Sequence, residues 1–273
     1  MNSVTSCKYR LAAFDLDGTL LGPKAALSAA NLDAVERLRQ SGTEIVLASG
    51  RHHASMQKIA KSVPGVRWLV SSQGGEVSDV DRHQRLHEAF LEATLAHKAT
   101  MLGLRLGFSA IVYTANDVRA SADDEGVRFY AGLAGSMPTC CPPDALLAGS
   151  IFKIIWVSNN PTQFDAIATN PEVAALSATK VRTHKYFFEL MPPSVTKGSA
   201  LAVLATHLGI DTRDAVVFGD GENDIPMFDW AGTSVAMAHG WPAARERATF
   251  VAPPGPPETA LARAVEQLLA KYS

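Results

Sequence analysis

The opening stretch of the chain alternates between two hydrophobic periods, and that alternation limits the available folds more than any other feature. Tyr9 to Phe14 is an apolar strand pattern. Ala29 to Arg39 repeats apolar residues at helical spacing, with Leu32, Val35 and Leu38 on one side, Ser28 as a cap and Gly42 as a stop. Glu44-Ile45-Val46-Leu47-Ala48 is a second buried strand, residues 53 to 62 form a second helix, and Val66 to Val70 form a third strand. Strand, helix, strand, helix, strand in that order implies a parallel sheet with helices on its faces. Open sheets of this kind bind ligands beyond the carboxyl ends of their strands, so the loops after those strands are where chemistry is expected.

The pattern changes after Ser71-Ser72-Gln73-Gly74-Gly75. Glu76 to Val80 and Gln84 to His87 read as a polar hairpin around Asp81-Arg82. From there to about Glu189 the chain reads as a separate unit: a helix over 88 to 103, a strand near 110 to 114, a Cys-Pro-rich loop at 138 to 143, a strand from Ser150 to Val157, a helix over 161 to 175 and strands around 180 to 190. Thr196 to Leu208 restores an amphipathic helix. Ala215 to Phe218, Ser234 to Met237 and Thr249 to Ala252 follow as short strands, and Glu258 to Leu269 closes the chain as a helix. The expectation is a Rossmann-like α/β core made of residues 1–82 and 190–273, interrupted by an inserted α+β domain over 83–189. A chain of 273 residues with 47% hydrophobic content has enough apolar material for two cores.

A net charge of -2 gives no broad basic surface for nucleic acid. A small ligand fits better. Cys7, Cys140 and Cys141 are odd in number and two are adjacent, so they make no disulfide framework, and a cytoplasmic location is expected. Residues 1 to 8 read as a lead-in with no apolar stretch like that of a signal peptide, and no later run has the length of a membrane span. Oligomeric state is not encoded in any motif here.

The first strand runs straight into Asp15-Leu16-Asp17-Gly18-Thr19-Leu20, placing two carboxylates one residue apart where the chain turns; Gly18 permits the turn. Ser49-Gly50-Arg51 follows the second strand, Lys197 opens the helix after Thr196, and Gly219-Asp220-Gly221-Glu222-Asn223-Asp224 follows the strand Ala215 to Phe218. Taken singly, each has a plain explanation: a solvated turn, a helix cap or a surface lysine. Together they bring two carboxylate clusters to one sheet edge beside a hydroxyl and an ammonium. Oxygen ligands of this sort suit Mg²⁺, and the absence of Cys and His from the clusters argues against zinc.

This ordered set resembles the haloacid dehalogenase superfamily of phosphotransferases. Ala48-Ser49-Gly50-Arg51, the large insertion and Val195-Thr196-Lys197-Gly198 are similar to its Cof-type branch, whose inserted α/β cap covers the active site. The resemblance implies a Mg²⁺-dependent phosphatase acting on small phosphorylated metabolites, sugar phosphates first among them. In that reading Asp15 is the nucleophile that becomes an aspartyl phosphate and Asp17 is the acid and base. The metal is held by the Asp15 carboxylate, the Asp17 carbonyl and Asp220, with Asp224 close by. The amides of Leu16 and Gly50, the Ser49 hydroxyl, the Asn223 amide and the Lys197 ammonium surround the phosphoryl oxygens. Arg51 has two readings, a substrate contact and a structural ion pair, the second being favoured.

Two sites depart from the branch. Gln73-Gly74-Gly75 stands where Asn-Gly-Ala is frequent, and Ala238-His239-Gly240 where Gly-Asn-Ala is frequent, which bears on substrate preference. His52 and His53 read as solvated imidazoles at a helix start. Cys140-Cys141 reads as packing or exposed chain, and His184, Lys185 and Tyr186 as an ordinary mixed-polarity strand. A phosphomutase returning the phosphoryl group to a second hydroxyl shares the same motifs, and a non-catalytic phosphometabolite-binding protein shares the same fold.

Overall fold

The computed structural model describes residues 9–167 and 169–271, so Cys7 and the lead-in expected over residues 1 to 8 lie outside the described residues. β1 (Leu11–Phe14) is buried throughout and serves two cores by its period of two: Ala12 and Phe14 face one hydrophobic cluster, Leu11 and Ala13 the other. α1 (Ala29–Gln40) begins where the Ser28 hydroxyl accepts from the Asn31 amide at 3.2 Å. β2 (Glu44–Ala48), α2 (His53–Ala60), β3 (Val66–Ser71), β4 (Glu76–Asp79) and β5 (Arg85–Glu88) complete this stretch.

The inserted stretch contains α3 (Ala93–Arg105), β6 (Ser109–Thr114), β7 (Val118–Ala120), α4 (Glu125–Ala134), β8 (Thr139–Cys140), α5 (Pro143–Leu146), β9 (Ile151–Val157), α6 (Pro171–Ala174), β10 (Thr179–His184) and β11 (Phe187–Met191). The chain then continues as α7 (Lys197–Leu208), β12 (Ala215–Gly219), α8 (Ile225–Trp230), β13 (Thr233–Ala236), α9 (Pro242–Arg247), β14 (Phe250–Val251) and α10 (Ala260–Ala270).

The first sheet has the order β14-β13-β12-β1-β2-β3-β4-β5. All its pairings from β14 to β3 are parallel, and β4 is antiparallel to β3. Its direction of growth reverses at β1, which sends the chain to β2 on one side and has β12 on the other. That switch point is where an open α/β sheet leaves a crevice for a ligand. Phe14 and Phe218 stack across the β1–β12 register with ring centroids 5.0 Å apart, a pairing worth ~0.5–1.5 kcal/mol beyond its burial. One face is covered by α1 and α10 through Val35, Leu38, Leu261 and Val265; the other by α7 and α8 through Leu201, Leu204, Met227 and Phe228.

The second sheet has the order β10-β11-β9-β6-β7-β8. α3 buries Ala96, Ala99 and Leu102 against Val112, Ile154 and Trp156, whereas α4 sets Val127 and Tyr130 against Ile111, Tyr113 and Ile155. The division into two compact units falls after His87 and before Thr196. Both seams lie a few residues beyond the 82 and 189 read from the sequence: β5 is hydrogen-bonded into the first sheet, and β11 carries the second unit on to Met191.

Three expectations change. The helix read over 161 to 175 is a 3₁₀ turn, Pro161–Phe164, and the single α turn of α6; Asn160 and Asn170 each cap a fresh start just before a proline. α4 was not anticipated, although Asp124 accepts from the Val127 amide at its start and Gly135 ends it in a left-handed conformation. His52 and His53 are buried, not solvated. His53 is enclosed by the Val80 carbonyl and the Ser78 hydroxyl, each 3.1 Å from a ring nitrogen. Cys140 is exposed and Cys141 half-buried, both as free thiols. Partial desolvation by neighbouring atoms, and then the Asp123 charge, holds the Cys140 thiol above its ordinary value, so that thiol is not activated.

Candidate active site

The period of two that divides β1 between its cores extends one residue further. After Leu11 and Ala13, Asp15 falls on the face covered by α7, the helix that begins with Lys197. The Asp15 amide donates to the Phe218 carbonyl at 2.9 Å, continuing the ladder to β12 before the chain turns. The Leu21 amide donates to the Leu16 carbonyl at 2.8 Å and the Leu20 amide to the Asp15 carbonyl at 3.2 Å, closing a compact loop. Gly18 is required there twice over: its φ is +86°, and a Cβ would lie 2.4 Å from an Asp220 carboxylate oxygen.

α7 starts with a reciprocal cap. The Thr196 hydroxyl accepts from the Ser199 amide and the Ser199 hydroxyl from the Thr196 amide, each at 3.0 Å. A lysine at a buried helix N-terminus opposes the helix dipole, so it needs carboxylates nearby. Lys197 donates to Asp15 Oδ1 at 2.5 Å and to Asp224 Oδ1 at 2.6 Å. Asp224 Oδ2 in turn accepts the amides of Asp220 and Gly221 at 2.9 Å each, which folds the Asp220–Asp224 turn back on itself. Thr19 donates to Asp220 Oδ1 at 3.3 Å, a link between the two acidic loops that their spacing did not suggest.

Asp15, Asp220 and Asp224 each offer an oxygen within 4.8 Å of the others. Buried Asp15 and Asp224 share the Lys197 ammonium and half-buried Asp220 stands beside them, which leaves an excess of negative charge. Burial pushes Asp15 well above the ordinary carboxylate range, against the pull of Lys197. Burial and then the Asp224 charge push Asp220 up to about 7. Lys197 is pushed upward, because Asp15 and Asp224 together outweigh the cost of burying its charge. An all-oxygen donor set with surplus negative charge fits a hard divalent cation such as Mg²⁺.

The remaining expected residues surround this cluster unevenly. Asp17 is exposed and turned to Arg51, whose Nε and Nη2 donate to its two carboxylate oxygens at 2.7 and 2.6 Å. The ion pair read for Arg51 therefore exists, with Asp17 as the partner. Ser49 is buried at the end of β2 and its hydroxyl accepts from the Arg51 amide at 3.2 Å. Gly50 lies beside Gln73, and Asn223 Nδ2 donates to Gln73 Oε1 at 3.2 Å. Leu16 is buried within the first loop. His239, at the second departure from the branch, is exposed and has Nε2 2.8 Å from the Gly18 carbonyl.

A family model described as haloacid dehalogenase-like hydrolase matches residues 12–263. An HMP-PP phosphatase of Escherichia coli is 29% identical over 255 residues, covering 86% of both chains. Among solved structures, the phosphatase BT1666 of Bacteroides thetaiotaomicron has a TM-score of 0.80 at 21% identity, covering 98% of this chain and 96% of the other. The sugar phosphatase BT4131 of subclass IIB has a TM-score of 0.83 at 15% identity, covering 94% and 98%. At these identities the two structures establish a shared fold. Among the described residues, no helix is long and apolar enough to cross a membrane.

Proposed function

Because this chain belongs to the haloacid dehalogenase-like hydrolases, within their Cof-type branch, and is a phosphoric monoester hydrolase, we propose that it hydrolyses small phosphorylated metabolites with Mg²⁺, sugar phosphates being the first class. The observation that carries this reading is the cluster of buried Asp15, Lys197 and Asp224 with half-buried Asp220 at the carboxyl ends of β1 and β12. The substrate class draws on relatives named as HMP-PP phosphatase and sugar phosphatase.

In this reading Asp15 and Asp220 hold the cation with the Asp17 carbonyl, and Asp224 stands next to them. The bound cation supplies charge neutralisation between the nucleophile and an anionic substrate. Asp15 attacks phosphorus as the bond to the leaving oxygen breaks, and the protonated Asp17 gives its proton to that oxygen. The Asp17 carboxylate then takes a proton from water as the water oxygen bonds to phosphorus. The bond from phosphorus to Asp15 breaks, inorganic phosphate leaves, and both aspartates return to their starting forms. Both oxygens of Asp17 are engaged by Arg51 in the structure, so the acid role requires Asp17 to leave that pair. The Asp17 side of that pair is exposed, so water offsets part of what is lost when the carboxylate turns away. Lys197 steadies Asp15 and faces the phosphoryl group together with the Ser49 hydroxyl, the Asn223 amide and the backbone amides of Leu16 and Gly50. The inserted unit, Glu88–Val195, is assigned the part of the cap that selects substrates, and a reducing cytoplasmic setting accords with the free thiols of Cys140 and Cys141.

The test is phosphate release from a panel of sugar phosphates, nucleotides, phosphoglycolate and pyridoxal phosphate, with Mg²⁺ and with EDTA, using Asp15→Asn as the blank. Release that requires Mg²⁺ and vanishes in the variant is expected. Near-normal release by Asp15→Asn would remove the covalent route. An isomeric phosphate with little free phosphate would make the protein a mutase.

A further inference from the structure

The turn after β3 ties together three of the segments that build the active site, and it does so in a backbone conformation its residues do not favour. Ser72 (φ 52°) and Gln73 (φ 62°) both stand in the left-handed region, which is uncommon for residues other than glycine. The Ser72 amide donates to the Arg51 carbonyl at 2.9 Å and the Gln73 amide to the Ser49 carbonyl at 3.1 Å. Gly74 approaches the start of α7 so closely that a Cβ would lie 2.2 Å from the Thr196 carbonyl oxygen. The turn is thereby pinned to the loop after β2 and to the residue before Lys197.

So held, the buried Gln73 side chain reaches a third segment. Its Oε1 accepts from Asn223 Nδ2 at 3.2 Å, and its Nε2 lies over Gly50, 2.3 Å from where a Cβ would be. One of the two Nδ2 hydrogens of Asn223 is thus committed to Gln73, which fixes the rotation of the amide and the direction of the other hydrogen. Consecutive left-handed residues persist only where the surroundings over-determine them, and such positions cluster at sites that depend on geometry.

We propose that Gln73 is a positioning residue for phosphoryl binding, aligning the Asn223 amide and backing the Gly50 backbone with a single side chain. Gly50 and Asn223 follow strands on opposite sides of β1, so one carboxamide sets two groups that no single element carries. The inference rests on the reading of Gly50 and Asn223 as phosphoryl-binding groups given above.

The test uses the full chain with Mg²⁺, measuring hydrolysis of p-nitrophenyl phosphate and its inhibition by inorganic phosphate for wild type, Gln73→Gly, Asn223→Ala and the double variant. Glycine accepts the left-handed backbone, which offsets part of the loss of the buried side chain, so Gln73→Gly is expected to stay folded with a melting temperature within several degrees of wild type. Its kcat/KM is expected to fall about 10- to 100-fold, as for other groups that orient a ligand-binding side chain, with a matching rise in the phosphate inhibition constant. In the Asn223→Ala background the same change is expected to cost clearly less than in the wild-type background, because the part that runs through Asn223 is already lost and only the support of Gly50 remains. Gln73→Met, of similar length but without the carboxamide, is expected to lose as much as the glycine variant. Activity of Gln73→Gly within about twofold of wild type, or losses that multiply in the double variant, would overturn the inference while leaving Asn223 in place. Full activity in Asn223→Ala would overturn both.

Discussion

Lys197 is the residue on which the energetics of the site turn. It is buried against Asp15 and Asp224, and removing one partner of a buried ion pair leaves charge without compensation, a loss of ~3–5 kcal/mol. Lys197→Met is therefore expected to lower the urea midpoint sharply in EDTA and less so in Mg²⁺, where a cation replaces part of the missing charge. Equal losses in both conditions would show that no cation reaches the cluster. Asp220 gives the companion pH prediction. Its folded-state value of about 7 lies above the ordinary 3.8, with burial as the first cause. The native carboxyl keeps its proton where the unfolded one has lost it, so this group lowers the stability of the metal-free protein as pH rises from about 4 towards about 7. For the same reason protons compete with the cation, and Mg²⁺ affinity measured by calorimetry is expected to drop as pH falls from about 8 to about 6. Asp15, Lys197, Asp220 and Asp224 could be named from the sequence because strand ends and helix starts are visible in it. The Arg51–Asp17 pair and the Thr19–Asp220 bond could not, since each joins segments whose approach is settled only by packing.

Among the elements, α7 packs against α8 through a close backbone approach at Gly198. A Cβ on Gly198 would lie 2.2 Å from the Pro226 carbonyl oxygen, so α7 and α8 touch only because that side chain is missing. Gly198→Ala should destabilise by ~1–3 kcal/mol, as overpacking does, and should lower activity further by shifting Lys197, the preceding residue. A Gly198→Ala protein as stable and active as wild type would show that α8 yields without strain. The strands of the first sheet were legible because their apolar runs are short, continuous and bounded by loop residues. The failed helix over 161 to 175 has apolar residues at helical spacing, but Asn160-Pro161 and Asn170-Pro171 divide it, and those start signals weigh more than the periodicity. The missed α4 had its signals in place, Asp124 and Gly135, with Val127 and Tyr130 between them; only its polar surroundings disguised it.

For the whole molecule, the hydrophobic clusters divide as the chain does. The two in the first unit include no buried residue of Glu88–Val195, and the two in the second draw only on that segment. Calorimetry is expected to show two unfolding transitions, with Mg²⁺ raising only one, because Asp15, Asp220 and Asp224 all belong to the first unit. Saturation at about 100 times the dissociation constant would contribute ~2.7 kcal/mol to that step. A single transition that moves as a whole would mean that the units melt together. The break in strand and helix alternation signals an insertion in the sequence, but its seams are not legible there, because β5, beyond residue 82, is still paired into the first sheet and β11 runs across residue 189. The placement of β1 between β2 and β12 also bears on how the protein is made. Thr19 and its partner Asp220 are 201 positions apart, which at ~5–20 residues per second separates their emergence from the ribosome by roughly 10–40 s. Throughout that interval the nascent chain holds β1, a strand buried along its whole length in the folded protein, with one edge unmatched, a period in which a chaperone, or the early folding of the inserted unit, would protect it from its neighbours.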